Sequence, residues 1–414
     1  MKLDITKALS VGCIVLTLFL CVFVFSPQPA KADDSANSSS TVTVGGYPFL
    51  MAMSPNGKNV YVAIPDKNTV AVISTATNEV TAKISVDSPF GIAVTPDGKY
   101  AYVSNEISTL ETNSTVSVIN LATNKVEKTI TVGCYPAGVA VAPNGKFVYV
   151  IDQNQGHSNP YGAISIIDTA SNTVASTLTI GRGPYYGIAV SPDSEYVYVL
   201  NSSDGTVSVI DAATNTATIA LTGLSGSGCI TLSPNGEYAY ITEAYASAGS
   251  AAISVISTVT RQVTATINGL NAPSCVVFSP DAAVAYVTNT GNNTVSIINT
   301  STKTVTKTVP VGVGPYGLAI TPNGQYLYVV NSFDGAVSVL DTANNMMIVG
   351  SKVSTLAGFP VEWLIIIITL AIVILALSMI ILVKTRHAKT AQSNTESTLP
   401  LSGGEANNDV QASQ

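Results

Sequence analysis

A four-residue turn motif that occurs seven times is the feature that most constrains the fold of this chain. The motif reads Ser, Thr or Ala, then Pro, then Asn or Asp, and in five of the seven copies Gly. Its prolines are separated by 41, 47, 49, 42, 46 and 42 residues, at Pro55, Pro96, Pro143, Pro192, Pro234, Pro280 and Pro322. Repeats of this length, when built from short strands, are typical of propeller blades. The spacing therefore predicts an all-β fold, a seven-bladed β-propeller of four-stranded blades over residues 41–350.

Each repeat contains four segments with strand character. An apolar run such as residues 90–94 suits an innermost strand that is buried on both faces. An alternating segment (residues 100–104), a third strand (residues 206–210) and a Thr- and Val-rich fourth strand (residues 126–132) complete the unit. The blade order is therefore inner strand, turn motif, second strand, third strand and outer strand.

The turn motif itself suits a tight hairpin between the first two strands. Asn-Gly and Asp-Gly pairs tolerate the positive φ angles that such hairpins need. Two copies lack the glycine, at Asp193-Ser194 and Asp281-Ala282. These two hairpins are expected to use another turn type.

The second strands carry a recognisable signature. Tyr286-Val287-Thr288-Asn289 reads YVTN, and variants of it begin at Tyr102, Tyr198 and Tyr328. On these residues the chain resembles the YVTN-type β-propeller repeat proteins, many of which are similar to archaeal surface-layer proteins. The resemblance covers about residues 41–350 and implies a repeat protein of the cell surface. It does not specify an activity, because propellers host many functions.

The N-terminal segment has the layout of a secretory signal. Lys2 and Lys7 precede an apolar stretch over residues 8–25, and Ala30 and Ala32 form an A-x-A site. We predict a signal peptide over residues 1–32 and a polar linker over 33–40. The alternative is an anchor helix that is not cleaved.

A second apolar segment, residues 363–383, contains no charged residue. At about 1.5 Å per residue it is long enough to cross a hydrocarbon core of about 30 Å. Lys384, Arg386 and Lys389 follow it and Glu362 precedes it, so the positive-inside rule predicts a cytoplasmic tail. The expected organisation is a single-pass membrane protein with its propeller outside the cell, a stalk over 351–362, a transmembrane helix and a disordered tail over 384–414.

Two segments compete to complete the last blade. Residues 41–44 match the fourth strands of the other repeats, and residues 346–349 also have strand character. We favour residues 41–44, with the chain leaving from the face that carries the loops between third and fourth strands. The other choice would place the opposite face against the membrane.

Insertions in the long repeats gather on one face, between second and third strands, in residues 105–114, 152–162 and 243–251. Insertions on one face of a repeat fold often form its binding surface. The candidate ligand-binding residues in these loops are Glu106, Glu111, Asp152, Tyr161, Glu243 and Tyr245.

Loops between fourth and first strands add aromatic residues to the same face, at Tyr47, Tyr135, Tyr185, Tyr186 and Tyr316. Aromatic rings beside carboxylates can stack on a sugar or peptide and hydrogen-bond it. The alternatives are that the tyrosines pack blade against blade and that the inserted loops are tolerated surface length.

Catalytic motifs are scarce. The only histidines are His157 and His387, and the sequence has neither a two-histidine zinc spacing nor a phosphate-binding loop. Glu106, Asp152 and Glu243 could bind calcium if they converged on the axis, and the alternative is that they are solvated loop carboxylates. We predict no enzymatic activity, no metal and no cofactor. The net charge of -7 offers no basic face, so nucleic acid is not an expected partner.

Cysteines and glycosylation sequons suggest covalent features. Cys229 and Cys275 each lie five residues before a turn proline, on adjacent innermost strands. We predict a disulfide between the two blades, with two buried free thiols as the alternative.

Glycosylation is predicted at Asn113, Asn201, Asn292 and Asn299, the first two in loops of the outward face.

The expected function is that of a membrane-anchored structural, adhesive or interaction module of the cell envelope. Its partners would be the membrane, other envelope proteins and glycans. The alternatives are a surface receptor for a glycan or peptide and a calcium-dependent hydrolase of lactonase type. The sequence does not identify the ligand.

Overall fold

The structure, a computed structural model, describes residues 41–106, 114–154, 160–224, 227–244, 251–344 and 346–347. The chain divides into two compact units, Met1–Ser351 and Lys352–Gln414. All described residues lie in the first unit. The predicted signal peptide, stalk, transmembrane segment and tail lie outside them.

Seven antiparallel sheets follow one another along the chain, each ordered from inner to outer strand as the sequence runs. Blade 1 contains β2 (Met51–Met53), β3 (Asn59–Ile64), β4 (Thr69–Ser74) and β5 (Glu79–Ser85), with a 3-10 turn at Pro65–Lys67. Blade 2 contains β6 (Pro89–Val94), β7 (Tyr100–Asn105), β8 (Thr115–Asn120) and β9 (Lys125–Thr131). Blade 3 contains β10 (Pro136–Val141), β11 (Phe147–Asp152), β12 (Tyr161–Asp168) and β13 (Thr173–Arg182). Blade 4 contains β14 (Pro184–Val190), β15 (Tyr196–Asn201), β16 (Thr206–Asp211) and β17 (Thr216–Thr222). Blade 5 contains β18 (Ser227–Leu232), β19 (Tyr238–Glu243), β20 (Ala252–Ser257) and β21 (Gln262–Ile267). Blade 6 contains β22 (Pro273–Phe278), β23 (Val284–Asn289), β24 (Thr294–Asn299) and β25 (Thr304–Pro310). Blade 7 contains β26 (Pro315–Ile320), β27 (Tyr326–Asn331) and β28 (Ala336–Asp341), with β1 (Thr41–Thr43) and β29 (Met346–Met347) at its outer edge. The prediction of a seven-bladed propeller with four-stranded blades is confirmed.

In the six copies of the turn motif that have Ser or Thr before the proline, that hydroxyl accepts the N–H of the residue five positions later. In blade 5 the Ser233 hydroxyl donates to the Asn235 side chain at 2.6 Å and accepts the N–H of Tyr238 at 3.0 Å. The glycine that follows has φ of +73° at Gly236. Ser194 and Ala282 replace that glycine yet keep φ values of +66° and +59°, so the expectation of another turn type is wrong.

The hydrophobic core is distributed between blades rather than gathered at one centre. The described residues form seven clusters of buried side chains, and each cluster lies between two neighbouring blades. Every second strand contributes one buried tyrosine, and these are Tyr61, Tyr102, Tyr149, Tyr198, Tyr240, Tyr286 and Tyr328. The Tyr102 hydroxyl donates to Asn172 of blade 3, and the Tyr328 hydroxyl donates to Asn78 of blade 1 at 2.7 Å. These tyrosines therefore connect each blade to the next.

The outer edge of blade 7 is shared by the two competing segments. Thr41–Thr43 pairs with residues 336–338 of β28, and Met346–Met347 pairs with residues 340–341 of the same strand. Val42 and Val44 are buried against the core between blades 7 and 1. The favoured segment thus completes the blade, and the second segment continues the same edge instead of replacing it.

Among the described residues, no helix has the length and apolar character that a bilayer crossing requires.

Candidate binding surface at the propeller axis

Aromatic side chains occupy the axial end of several innermost strands. The residues six positions before the turn prolines are Phe49, Phe90, Ala137, Tyr186, Gly228, Ser274 and Tyr316. Blade 4 also contains one residue more than its neighbours at this point. Pro184 pairs with Asn201 and Ile188 with Val199, whereas in blade 3 Pro136 pairs with Asp152 and Val139 with Val150. The extra residue places a second tyrosine, Tyr185, beside Tyr186.

Five of these rings form what we call the axial aromatic cluster: Phe49, Phe90, Tyr185, Tyr186 and Tyr316. The rings form a continuous row from blade 7 to blade 4. Ring centroids are 4.6 Å apart for Tyr316 and Phe49, 4.7 Å for Phe49 and Phe90, and 5.1 Å for Phe90 and Tyr185. Phe90 is buried and the other four rings are half-buried. The cluster is therefore packed from within and still presents ring surface to solvent.

Tyr186 extends from blade 4 towards blade 6. Its hydroxyl lies 3.4 Å from the Ser274 hydroxyl, and its ring meets Phe49 edge-on at 5.8 Å. The small residues of blades 5 and 6 leave room for it, since a Cβ at Gly228 would lie 3.1 Å from the Tyr186 hydroxyl. Burial raises the pKa of Tyr186 well above its ordinary value. The hydroxyl is therefore neutral at physiological pH.

Glu106 borders the cluster, as its charge acts on Tyr185. Its carboxylate accepts a hydrogen bond from the Gln153 side chain at 3.1 Å. Burial raises the pKa of Glu106. Burial also raises the pKa of Tyr185, and the negative charge of Glu106 adds to that rise, which places the two side chains within electrostatic reach. Glu106, Gln153 and Tyr185 together form a polar margin on the aromatic row.

Asp152 and Glu243 do not lie in the inserted loops, and that part of the prediction is wrong. Each is the last residue of a second strand, where other blades carry the asparagine of the signature. The Ser165 hydroxyl donates to Asp152 at 2.7 Å, and the Ser254 hydroxyl donates to Glu243. In four other blades an asparagine bonds the matching serine, as Asn289 does with Ser296 at 2.8 Å, whereas blade 1 has Ile64 at this position. Both carboxylates therefore take the structural position of the repeat asparagine.

The hypothesis that Glu106, Asp152 and Glu243 converge on the axis is not met by the structure. Asp152 and Glu243 bond to serines of their own blades, and Glu106 bonds to Gln153. Within the described ranges no three His, Cys, Asp or Glu side chains form a group that could hold a metal ion.

Asp152 is nevertheless an unusual carboxyl group. It is completely buried, and its Oδ1 atom has no hydrogen-bond partner. Burial raises the pKa of Asp152 to about 7, although the Ser165 hydroxyl and the Gly133 N–H oppose that rise.

The remaining predicted binding residues divide into two groups. Tyr161 opens the third strand of blade 3 and is 47% exposed. Glu111 and Tyr245 lie outside the described residues.

Sequence reasoning had named Tyr185, Tyr186 and Tyr316 but missed Phe49, Phe90 and Gln153. The matched position six residues before each proline could have identified the two phenylalanines.

The prediction that Asn201 lies in an outward loop, where it could be glycosylated, is wrong. Asn201 ends β15, is fully buried, and its amide nitrogen donates to Thr206 at 3.0 Å and Ser208 at 2.9 Å. The folded chain therefore does not present this amide. Asn292 is exposed and Asn299 is half-buried, and Asn113 lies outside the described residues. Modification at these positions stays a prediction.

The predicted cysteine pair is brought together by the fold. Cys229 and Cys275 lie in contact on adjacent innermost strands, and both are free thiols in this structure. The disulfide itself stays a prediction.

The fold and its axial surface define a seven-bladed β-propeller whose face carries partly exposed aromatic rings. The sequence model of the family described as "Lactonase, 7-bladed beta-propeller" matches residues 73–177 and 168–356, and the chain belongs to this family. Among solved structures, the chain is similar to hydrazine synthase of Kuenenia stuttgartiensis, at 22% identity and a TM-score of 0.64. That match covers 76% of this chain and 99% of the other. At this identity the similarity concerns the fold. No curated protein sequence matched the chain.

Proposed function

We propose that the protein is a non-enzymatic interaction module of the cell envelope, held at the cell surface by a membrane anchor. The axial aromatic cluster is the observation that carries this proposal. Four of its five rings are half-buried, and they form one row that ends at Glu106 and Gln153. Partly exposed aromatic side chains dominate the binding energy of many interfaces.

The ligand class that suits this surface is a saccharide or a short peptide. Aromatic faces stack on the apolar faces of sugar rings or peptide side chains, and a neighbouring carboxylate or amide hydrogen-bonds hydroxyl and N–H groups. Glu106 offers acceptors and Gln153 offers both a donor and an acceptor. The chain is acidic overall, with a net charge of -7, so a strongly anionic ligand is disfavoured.

Placement outside the cell rests on the sequence. Residues 1–32 have the layout of a secretory signal, and residues 363–383 are apolar and followed by Lys384 and Arg386. The likeness to YVTN-type surface-layer propellers supports the same placement. Protease added to intact cells should degrade the propeller and leave the tail, and a tail degraded instead would contradict this orientation.

Binding can be tested with the purified full-length protein in detergent on an array of neutral and amino oligosaccharides. We expect retention on a subset of spots, reduced at least about tenfold by Tyr185→Ala or Glu106→Gln. Phe333→Ala is the matched control, because Phe333 is an exposed aromatic residue outside the cluster, at 66% exposure. Retention that these variants leave unchanged would reject the axial surface as the binding site. If no spot retains the protein, the same variants are compared on a peptide array, and no retention there rejects the proposal.

Lactone hydrolysis is a second candidate, favoured by the family match over residues 73–356. Hydrolysis of a short-chain lactone is measured with and without millimolar calcium. Turnover that depends on calcium and is lost in Glu106→Gln would favour an enzyme over the interaction module.

A further inference from the structure

Two cysteines occupy a crowded ring position on the innermost strands. The residues five positions before the turn prolines are Leu50, Gly91, Gly138, Gly187, Cys229, Cys275 and Gly317. Glycine suits this position because the next blade lies very close. A Cβ at Gly317 would lie 2.8 Å from the Phe49 carbonyl oxygen of blade 1, and a Cβ at Gly187 would lie 3.2 Å from the Gly228 carbonyl oxygen of blade 5. Cys229 and Cys275 thus occupy two successive positions of a ring at which neighbouring blades approach closely.

Hydroxyl groups fix the two cysteine-bearing strands side by side. The Thr242 hydroxyl accepts the N–H of Cys229 at 2.8 Å and donates to the carbonyl of Ser274, the residue before Cys275, also at 2.8 Å. On the other side, the Thr231 hydroxyl donates to the carbonyl of Val276, the residue after Cys275, at 2.8 Å. The two strands are thus linked on both sides of the cysteines, by the Thr242 hydroxyl on one side and the Thr231 hydroxyl on the other.

The two thiols differ in their surroundings. Hydrogen bonding with the Cys275 side chain lowers the pKa of Cys229, burial opposes this, and the Val276 N–H and the Thr231 hydroxyl lower it further. The same contact and burial raise the pKa of Cys275. Cys229 is half-buried, whereas Cys275 is only 6% exposed. Cys229 is therefore the more acidic of the two and the residue with more exposed surface.

We propose that Cys229 and Cys275 form a redox-active pair that exchanges with low-molecular-weight disulfides, with Cys229 as the attacking thiol and Cys275 as the resolving thiol. The proposal does not rest on the axial binding function.

The exchange has two steps. The Cys229 thiolate attacks one sulfur of a small disulfide, forms a mixed disulfide and releases one thiol molecule. The Cys275 sulfur, after losing its proton, then attacks the Cys229 sulfur and releases the second thiol molecule. The protein loses two protons and two electrons, and the small disulfide gains them to become two thiols. The product is a disulfide that links blade 5 to blade 6.

The pair lies beside the aromatic surface. Burial and the charge of Cys275 raise the pKa of Tyr186, with a smaller effect from Cys229. The Tyr186 hydroxyl is also 3.4 Å from Ser274, the neighbour of Cys275. A change in the redox state of the pair therefore changes the electrostatic surroundings of the Tyr186 hydroxyl.

The test uses the reduced full-length protein, treated with oxidised glutathione under anaerobic conditions and analysed by peptide mass spectrometry. In wild type we expect a peptide pair crosslinked through Cys229 and Cys275. In Cys275→Ser we expect a glutathione adduct on Cys229, and in Cys229→Ser we expect little adduct on Cys275. Cys134→Ser is the control, because this half-buried cysteine lies on another blade and its loss should leave the crosslink unchanged.

Three results would overturn the proposal. The first is full alkylation of both cysteines in treated wild type. The second is an adduct on Cys275 in Cys229→Ser with none on Cys229 in Cys275→Ser, which would reverse the order of attack. If a variant does not fold, limiting iodoacetamide on reduced wild type decides instead: Cys229 should be labelled first, and faster labelling of Cys275 is the third contradicting result.

Discussion

At the scale of single residues, a buried polar side chain ends the second strand of most blades and hydrogen-bonds the third strand. Asn105, Asn201, Asn289 and Asn331 are buried there, and each amide nitrogen donates to a serine of the third strand. Buried polar groups are stabilising only when their hydrogen bonds are made. Asp152 makes the serine contact too, and its Oδ1 lacks a partner, as do those of Asn201 and Asn331. Asp152 differs from them because its buried side chain can ionise, and burial raises its pKa to about 7.

Asp152→Asn should stabilise the protein at neutral and higher pH. The pKa of Asp152 is raised to about 7 in the folded chain, above the value of about 3.9 expected when unfolded. The folded state therefore binds the proton more tightly, and the free energy of unfolding falls as pH rises from about 4 to about 7. Asp152→Asn should remove this fall, so that the variant exceeds wild type at pH 8 and matches it near pH 4. Urea unfolding across that pH range measures the difference.

The reverse substitution supplies the control for this prediction. Asn201 is equally buried and bonds to the matching serine, Ser208. Asn201→Asp should therefore introduce a second fall of stability with rising pH. Parallel pH profiles for wild type and Asp152→Asn would contradict the assignment.

A second residue-scale prediction concerns the turn of blade 6. Ala282 has φ of +59°, a conformation that costs an L-residue roughly 1–2 kcal/mol and glycine much less. Ala282→Gly should therefore raise the free energy of unfolding by about 0.5–1 kcal/mol, after allowing for the greater chain entropy of glycine. Urea unfolding at pH 7 is the measurement. Ala283→Gly, in the same turn but without a positive φ, should lower stability, and equal effects of the two variants would refute the argument.

At the scale of elements, the outer edge of blade 7 shows that two chain segments can divide one strand position. Thr41–Thr43 and Met346–Met347 both pair with β28, at different halves of the strand. Backbone hydrogen bonds to blade 7 continue beyond the end of β1, since the N–H groups of Val44 and Gly45 donate to the Gly335 carbonyl at 2.9 and 2.8 Å. The N-terminal segment therefore fastens the last blade to the first.

Val42→Ala should lower the free energy of unfolding by roughly 1–3 kcal/mol, because it removes buried methyl groups from the core at the closure. Thr43→Ala is the matched control, since Thr43 is exposed on the same strand. Urea unfolding of the full-length protein compares the two variants. Equal stabilities would mean that β1 does not contribute to closing the propeller.

The sequence predicted the blade elements well because their signals are local. The inner strand of blade 2 was expected over residues 90–94 and spans Pro89–Val94, and its second strand was expected over 100–104 and spans Tyr100–Asn105. The site was predicted less well because its signals are tertiary. Asp152 was assigned to an inserted segment and Asn201 to a loop of the outward face, yet serines on the neighbouring strand allow both to be buried. The axial aromatic cluster unites residues from four blades, and only closure of the ring brings Phe49 and Tyr316 together.

At the scale of the whole molecule, stability is spread over seven similar contacts between blades. One buried tyrosine in each second strand packs into these contacts. Burial raises the pKa of all seven, and for Tyr102, Tyr240 and Tyr328 it reaches about 12. Loss of a proton from any one of them would place a charge in an apolar contact between blades.

Alkaline pH should therefore unfold the propeller cooperatively. Unfolded tyrosine has a pKa of about 10, so above pH 10 the unfolded state releases protons that the folded state keeps, and the free energy of unfolding falls with rising pH. Each such tyrosine contributes up to about 1.4 kcal/mol per pH unit, which makes the combined dependence steep.

Phenolate absorbance after a jump to pH 11 should appear in two phases. The slow phase belongs to the tyrosines whose pKa is raised by burial, the seven of the second strands together with Tyr185 and Tyr186, which ionise as the blades separate. Tyr102→Phe should reduce the slow phase by about one tyrosine, whereas Tyr47→Phe, at an exposed position, should leave the slow phase unchanged. A single fast phase that includes every tyrosine would show that the contacts between blades open without unfolding, and would contradict this account of how the ring is held together.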